Sequence, residues 1–151
     1  MTKQKKKILL LVEDDSTYRH LWKRLVEDLG VKEYFAVSNA EEAKKILEEK
    51  EIDLLISDVV LPAMNGYDLA KLARKKNPSM QILLTTGYGT DLSRFDLVGL
   101  KCHLLHKPYR SLKDVCILLE RLVSGEDVFQ DMDEDSFSEN IDNPEITEWT
   151  L

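Results

Sequence analysis

The sequence predicts an α/β domain in which helices cover both faces of a doubly wound, five-stranded parallel sheet. Five short apolar runs occur between residues 8 and 106, and segments with apolar residues at helical spacing follow them. Parallel strands need a crossover between them, usually a helix, and these segments supply it. The alternation of strand and helix is therefore typical of this fold class.

The strands are predicted where apolar residues run together without helical spacing. They lie at residues 8–12, 34–37, 52–57, 82–85 and 103–106. The first, ILLLV, contains no polar residue, which indicates a strand that is buried on both faces of the sheet.

The first helix follows this strand. Tyr18, Trp22 and Leu25 belong to a set of apolar residues at three- and four-residue spacing, which predicts one buried helix face. Asp15 is expected to cap the start of the helix, and Gly30 stands where a left-handed residue commonly ends one.

Four further helices are predicted after the later strands. Asn39 begins the second, where Glu42 completes a capping box. The third covers residues 67–76 and stops at the Asn-Pro pair that follows. A weak fourth helix is expected over residues 91–100, and Ser111 begins the fifth.

Charge divides the chain into three parts. Residues 1–7 form a basic arm, residues 8–123 the predicted domain, and residues 124–151 a tail with ten acidic residues and no Lys or Arg. The net charge of −7 originates in the tail, because the first 123 residues hold 18 acidic and 21 basic residues. A tail of this composition is expected to be disordered or to bind a partner.

The composition also narrows the class of protein. Cys102 and Cys116 have the spacing of neither a disulfide framework nor a zinc site, so a reducing compartment, the cytoplasm, is expected. No segment reaches the length of a membrane span. No basic domain indicates direct binding to nucleic acid. We therefore expect a soluble protein without membrane or nucleic-acid contacts.

Acidic side chains stand where two of the strands end. Glu13 and Asp14 follow the first strand, and Asp58 follows the third. Ligand sites of open parallel sheets lie beyond the carboxyl ends of the strands, so these three carboxylates are expected to converge. They would repel one another unless a cation intervened. An oxygen-only cluster suits a hard divalent ion, and Mg²⁺ is the ion expected here.

Four segments carry a resemblance to a known family. LLLVEDDS, LLISDVVLPAMNGYDL, ILLTTGY and LLHKPYRSL each lie at the end of a predicted strand. In order and spacing they resemble the receiver domain of two-component response regulators, over about residues 8–123. The resemblance implies the flavodoxin-like fold with strand order 2-1-3-4-5.

The resemblance also implies roles for the acidic residues. Asp58 would be the residue that accepts a phosphoryl group. Glu13 and Asp14 match the acidic pair that holds Mg²⁺ together with Asp58 and one backbone carbonyl, here that of Val60.

Two further residues match contacts to the phosphoryl group. Thr86 matches the hydroxyl residue that bonds a phosphoryl oxygen, and Lys107 matches the lysine that pairs with the group. Phosphoryl transfer depends mainly on in-line positioning and on cations near the spreading charge. Mg²⁺ and Lys107 would supply those cations. In this family the peptide bond before the proline, here Pro108, is cis and aims the lysine into the crevice.

Three positions decide how closely the chain follows the family pattern. Glu13 stands where many members have Asp, which leaves open whether it reaches the metal directly or through water. Leu104 stands where the family often has Tyr or Phe, so the usual aromatic-coupled switch is in question. Thr86 is preferred to Thr85 as the phosphoryl contact, because Thr85 completes the apolar strand and Gly87 leaves room beside Thr86.

Two functions fit these residues. In the first, Asp58 takes a phosphoryl group from a histidine kinase or histidine phosphotransfer protein in a phosphorelay, and the chain acts as a switch. Its output would be binding to an unknown downstream protein, because no second domain resembles a DNA-binding domain or an enzyme. A stand-alone regulator, a receiver from a hybrid kinase, and a homodimer all stay open.

The alternative is a Mg²⁺-dependent phosphohydrolase that uses Asp58 as its nucleophile. Enzymes of that kind commonly carry a second acid two residues after the nucleophile, where this chain has Val60. The sequence therefore favours a regulatory phosphoacceptor over an enzyme.

Overall fold

The computed structural model describes residues 6–87 and 89–125, together with the backbone of residues 146–148. The elements in chain order are β1 (Ile8–Val12), α1 (Ser16–Asp28), β2 (Glu33–Val37), α2 (Ala40–Glu49), β3 (Leu54–Asp58), α3 (Gly66–Lys76), β4 (Gln81–Thr86), α4 (Leu97–Leu100), β5 (His103–His106), α5 (Leu112–Ser124) and β6 (Ile146–Glu148). All five predicted strands are present, and their bounds differ from the prediction by at most two residues.

The strands form one sheet in the order β2-β1-β3-β4-β5-β6. The first five pair in parallel, which confirms the predicted topology and the order 2-1-3-4-5. Parallel pairing brings the carboxyl ends of β1, β3, β4 and β5 to the same edge. The acidic residues that follow β1 and end β3 therefore lie on one side of the domain.

β6 was not predicted. Its three residues pair antiparallel with β5, so that Ile146 lies opposite Leu105 and Glu148 opposite His103. A three-residue strand within a polar, acidic stretch carries no apolar period that would identify it. Residues 126–145 and 149–151 of the tail and residues 1–5 of the basic arm lie outside the described residues, so the expected disorder or partner binding of the tail stays a prediction.

Strands β1, β3 and β4 are buried on both faces of the sheet, as the apolar run predicted for β1, whereas the edge strand β2 is only partly buried. Alternate residues of each strand point to opposite faces. Leu10 and Leu55 pack on the side of α2, α3 and α4, whereas Leu11 and Ile56 pack on the side of α1 and α5. Among the described residues no helix has the length and apolar character needed to cross a membrane.

Side-chain caps begin the helices as the sequence predicted. Asp15, Asn39 and Ser111 each accept a hydrogen bond from the backbone amide three residues later. Asn65 does the same before α3. These bonds satisfy amide groups that would otherwise have no partner in the first turn.

The predicted fourth helix is much shorter in the structure, where α4 covers only residues 97–100. Upstream, the Asp91 carboxylate accepts hydrogen bonds from the amide and hydroxyl of Ser93. Asp96 caps the helix by accepting from the Gly99 amide. Short polar side chains compete with helical hydrogen bonds in this way, so the prediction of a helix from residue 91 was wrong.

Candidate functional site

Three strands deliver charged side chains to one place at the carboxyl edge of the sheet. Glu13 directly follows β1, Asp58 is the last residue of β3, and Lys107 directly follows β5. One carboxylate oxygen from each of Glu13, Asp14 and Asp58 lies within 4.8 Å of the other two. The predicted convergence of the three acids is therefore present in the structure.

Lys107 joins two of these acids. Its Nζ donates to Glu13 Oε2 at 2.7 Å and to Asp58 Oδ2 at 2.7 Å. The peptide bond between Lys107 and Pro108 is cis, as the resemblance implied. The two 2.7 Å contacts place the ammonium between the carboxylates, whose charge it compensates.

Burial makes this compensation important. Glu13 is 1% exposed and Asp58 8% exposed, whereas Asp14 is exposed. Burial raises the pKa of Glu13 above its usual value, and the hydrogen bond from Lys107 only partly opposes this. Burial also acts to lower the pKa of Lys107, but the hydrogen bonds to Asp58 and Glu13 outweigh it and the pKa rises. Lys107 is therefore a firmly protonated cation at neutral pH.

Backbone amides hold the two buried carboxylates in place. The Asp15 amide donates to Glu13 Oε1 at 3.1 Å, and the Val60 amide donates to Asp58 Oδ1 at 2.9 Å. Each acid thus uses one oxygen for an amide and the other for Lys107. Val60 meets Asp58 through its amide, and the role of its carbonyl as a metal ligand stays a prediction.

Arg19 supports the segment that follows β1. Its Nη1 donates to the carbonyl of Glu13 at 2.9 Å and to that of Asp14 at 3.3 Å. Arg19 lies one turn into α1, so the helix fixes the backbone that carries both acids. No pattern in the sequence had pointed to a role for Arg19.

Gly66 lets the start of α3 approach the end of β3. Its amide donates to the Val59 carbonyl at 2.7 Å. A Cβ atom added at Gly66 would lie 1.9 Å from the carbonyl oxygen of Asp58. No side chain fits there, so the glycine is a packing requirement of the site.

The two threonines that end β4 are both buried, with 1% of each exposed. The Lys107 amide donates to the Thr86 carbonyl at 2.7 Å, so the backbones of these two predicted site residues are joined. Thr86 Oγ1 donates to the Gly87 carbonyl at 3.4 Å, a long bond. The assignment of the Thr86 hydroxyl to a phosphoryl oxygen stays a prediction.

An aromatic cluster borders Lys107. The sequence pattern did not connect it with the site. The Lys107 Nζ lies 4.3 Å from the centroid of the Tyr18 ring. Tyr18 packs edge-on against Tyr109, which also packs against Trp22. The one signal in the sequence was the four-residue spacing of Tyr18 and Trp22, together with an aromatic residue two positions after Lys107.

The donor set fits a hard divalent cation. It offers only oxygen atoms, and three carboxylates exceed the single positive charge of Lys107. Glu13, Asp14 and Asp58 are the residues that would hold such an ion, and the exposure of Asp14 leaves the cluster accessible from solvent. Mg²⁺ matches a site with few carboxylates and room for water.

Comparison with known proteins identifies a family. The sequence profile described as the response regulator receiver domain matches residues 9–111. CpdR, a response regulator receiver protein of Brucella abortus, is 29% identical over 118 residues, which cover 78% of this chain and 97% of that protein.

Two longer relatives match over a smaller share of their length. The sensor kinase CckA of Brucella abortus is 33% identical over 122 residues, which cover 79% of this chain but 13% of the kinase. The response regulator protein FleR of Pseudomonas aeruginosa is 41% identical over 81 residues, which cover 54% of this chain and 17% of that protein. The chain therefore spans less than a fifth of these two relatives.

Solved structures agree with this result. The receiver domain of the hybrid histidine kinase CckA is 30% identical and superposes with a TM-score of 0.62, over 77% of this chain and 98% of that domain. A response regulator receiver domain protein of Clostridium thermocellum is 27% identical with a TM-score of 0.65, over 78% of this chain and 94% of that protein.

Proposed function

The chain belongs to the response regulator receiver domain family of two-component systems, and on that premise we propose that it is a switch that is phosphorylated on Asp58. The observation that supports this most directly is the contact of Lys107 with both Glu13 and Asp58 at 2.7 Å. It gives a buried, oriented carboxylate next to a fixed cation.

The proposed reaction moves a phosphoryl group from a phosphohistidine to Asp58. A carboxylate oxygen of Asp58 forms the new bond to phosphorus, the N–P bond of the donor breaks, and its electron pair stays on the donor imidazole. The Val60 amide holds one carboxylate oxygen of Asp58 at 2.9 Å, which limits rotation of the nucleophile. Lys107 stands within 2.7 Å of the other oxygen, where it can neutralise the charge that develops on the phosphoryl oxygens.

A bound Mg²⁺ would neutralise phosphoryl oxygens and help to hold them in line. Glu13, Asp14 and Asp58 would bind the ion, together with the carbonyl of Val60. Thr86 would donate its hydroxyl to a phosphoryl oxygen. Its buried position at the end of β4 and its backbone contact with Lys107 support this role.

The donor is proposed to be a histidine kinase or a histidine phosphotransfer protein. One relative is a sensor kinase, 13% of which aligns with this chain, and another is a response regulator receiver protein, 97% of which aligns with it. Phosphorylation would shift the domain between two states, and a downstream protein would bind one of them more tightly.

The test uses beryllofluoride, which mimics an aspartyl phosphate. With Mg²⁺ present, beryllofluoride should shift the amide resonances of Thr86 and Lys107, and Asp58→Asn should abolish these shifts. Asp28→Asn, an exposed site at the end of α1, is the matched control and should respond like the wild type.

A second measurement separates the switch from a phosphohydrolase. A radiolabelled small phosphodonor such as phosphoramidate should label the chain with up to one phosphoryl group. Sustained turnover of a phosphate ester, beyond one equivalent and lost in Asp58→Asn, would favour the hydrolase. Absence of both labelling and beryllofluoride shifts would overturn the proposal.

A further inference from the structure

The ammonium group of Lys107 has an aromatic neighbour besides its two carboxylates. Its Nζ lies 4.3 Å from the centroid of the Tyr18 ring, well inside the distance at which a ring face attracts a cation. The Lys107 side chain is 11% exposed, so water screens this attraction only in part. Tyr18 is thus the third group that defines where the ammonium lies.

Other aromatic residues hold the ring of Tyr18. Its centroid lies 5.4 Å from that of Tyr109, and the two planes meet at 78°. Tyr109 is packed in turn against Trp22, with centroids 5.8 Å apart at 76°. The Trp22 Nε1 donates to the Tyr109 hydroxyl at 3.1 Å. Edge-to-face contacts and a directed hydrogen bond fix both position and orientation.

The chain connects this cluster to the site at two points. Tyr18 and Trp22 lie one turn apart on α1, whereas Lys107 and Tyr109 flank Pro108 in the segment after β5. Trp22 is fully buried on the inner face of α1. The loop that carries Lys107 is therefore attached to the helix that follows the acidic pair.

The cluster also reaches β4. Thr85 Oγ1 is buried and has no hydrogen-bond partner of standard geometry among the described residues. Burial raises the pKa of Tyr109, and neighbouring polar groups, the Thr85 hydroxyl included, only partly oppose this. Tyr109 also packs against the apolar cluster that contains Leu83 of β4 and Leu105 of β5, so the aromatic residues lie beside the two strands that carry Thr86 and lead to Lys107.

We propose that Tyr18 is a positioning residue for Lys107, and that Tyr109 and Trp22 hold its ring for this purpose. When Asp58 carries a phosphoryl group, Lys107 must keep its ammonium near the new oxygens. The face of Tyr18 restricts the ammonium to that region without competing for a hydrogen bond. This inference rests on the proposed function, because it concerns the same lysine.

The test compares Tyr18→Leu, which removes the ring, with Tyr18→Phe, which retains it. Beryllofluoride affinity with saturating Mg²⁺ should fall roughly 3- to 30-fold in Tyr18→Leu, the range of a partly desolvated cation–π contact. Tyr18→Phe should stay within about twofold of the wild type, because the face of a phenyl ring still attracts the ammonium. Initial labelling by phosphoramidate should follow the same order.

Two controls separate positioning from general damage. His20→Leu places the same side chain on the exposed face of α1 and should bind beryllofluoride like the wild type. Mg²⁺ affinity, measured without beryllofluoride, should be unchanged in Tyr18→Leu, because Lys107 and not the carboxylates would be displaced. Tyr18→Gln repeats the test should Tyr18→Leu fold poorly, and the same loss is expected.

The outcomes are distinct. Equal beryllofluoride affinity in Tyr18→Leu and the wild type would overturn the positioning role and leave the proposed function intact. Parallel losses of beryllofluoride and Mg²⁺ affinity in Tyr18→Leu and Tyr18→Phe alike would assign Tyr18 a purely structural role. A wild type that neither binds beryllofluoride nor takes a phosphoryl group would overturn the proposed function itself.

Discussion

Replacing Lys107 by Met should destabilise the domain in a way that depends on pH. The change keeps much of the side-chain volume but removes the cation that lies 2.7 Å from both Glu13 and Asp58. Removing one partner of a buried ion pair costs about 3–5 kcal/mol when the remaining charge stays uncompensated. Here two acids would face each other without compensation.

Protonation of Glu13 limits how much this carboxylate can destabilise the variant, because the folded protein can take up a proton instead of keeping an uncompensated charge. At pH 7 a carboxyl with the usual pKa of 4.5 can be protonated for about 3.4 kcal/mol, at about 1.36 kcal/mol per pH unit. We expect a loss of about 2–3 kcal/mol at pH 7. At pH 5 the same limit is only about 0.7 kcal/mol.

The direction of the pH dependence follows from the raised pKa of Glu13. A carboxyl whose pKa is higher in the folded state binds its proton more tightly there, so low pH favours folding. In the variant, the stability gained from this tighter proton binding is fully present below pH 4.5, the usual pKa of the carboxyl. It is lost as the pH rises through the folded-state pKa. The deficit relative to the wild type should therefore grow from pH 5 to pH 7.

Urea unfolding followed by circular dichroism measures the effect, with chelator present to exclude metal. Lys44→Met, at an exposed position of α2, is the matched control and should change stability by less than about 0.5 kcal/mol. Added Mg²⁺ should recover part of the deficit of Lys107→Met, because carboxylates without the competing ammonium bind a cation more tightly, and tighter binding stabilises the folded variant more than the wild type. An equal deficit at both pH values, or none, would refute the assignment of Lys107 as the counter-ion of the buried acids.

Three further predictions concern stability and thiol reactivity. Gly66→Ala should lower the free energy of unfolding by about 3 kcal/mol or more, because the added Cβ would meet a backbone carbonyl oxygen at 1.9 Å. In the control Gly87→Ala the added Cβ meets nothing within 4 Å, so the loss should be less than about 1 kcal/mol. Similar urea midpoints for the two variants would contradict this prediction. Arg74→Met should lower the free energy of unfolding by about 2–3 kcal/mol, because four backbone carbonyls before β4 and β5 lose their donor. Arg74→Lys should recover less than half of this loss in the same urea assay. A thiol reagent at pH 8 should modify only the exposed Cys116 quickly, because burial raises the pKa of Cys102 to about 12; two fast-reacting thiols in the folded protein would contradict this.

The acidic part of the site was predictable because it depends on local order along the chain. Glu13 and Asp14 follow an apolar run without a break, so their place at the strand end follows from where β1 stops. Asp58 required only the recognition of β3. Parallel pairing then brings separate strand ends together without any knowledge of side-chain packing.

The features that the sequence did not predict depend on contacts between distant residues or on competing local bonds. Tyr18 looked like one more member of an apolar helix face, and only packing against Tyr109 gives its ring a position relative to Lys107. The residues before α4 have acceptable helix spacing, but Asp91 and Asp96 bond to nearby groups and shorten the helix. Hydrophobic periodicity does not encode this competition between local side-chain bonds and helical hydrogen bonds.

The short strand β6 has a consequence for self-association. An unpaired strand at the border of a sheet exposes a row of amide and carbonyl groups to which another chain can add. β6 occupies that row along β5 and, with three residues, presents only a very short row of its own. Among the described strands, the longer unpaired edge is then that of β2. Addition of strands from another chain would therefore be hindered on the β6 side of the domain.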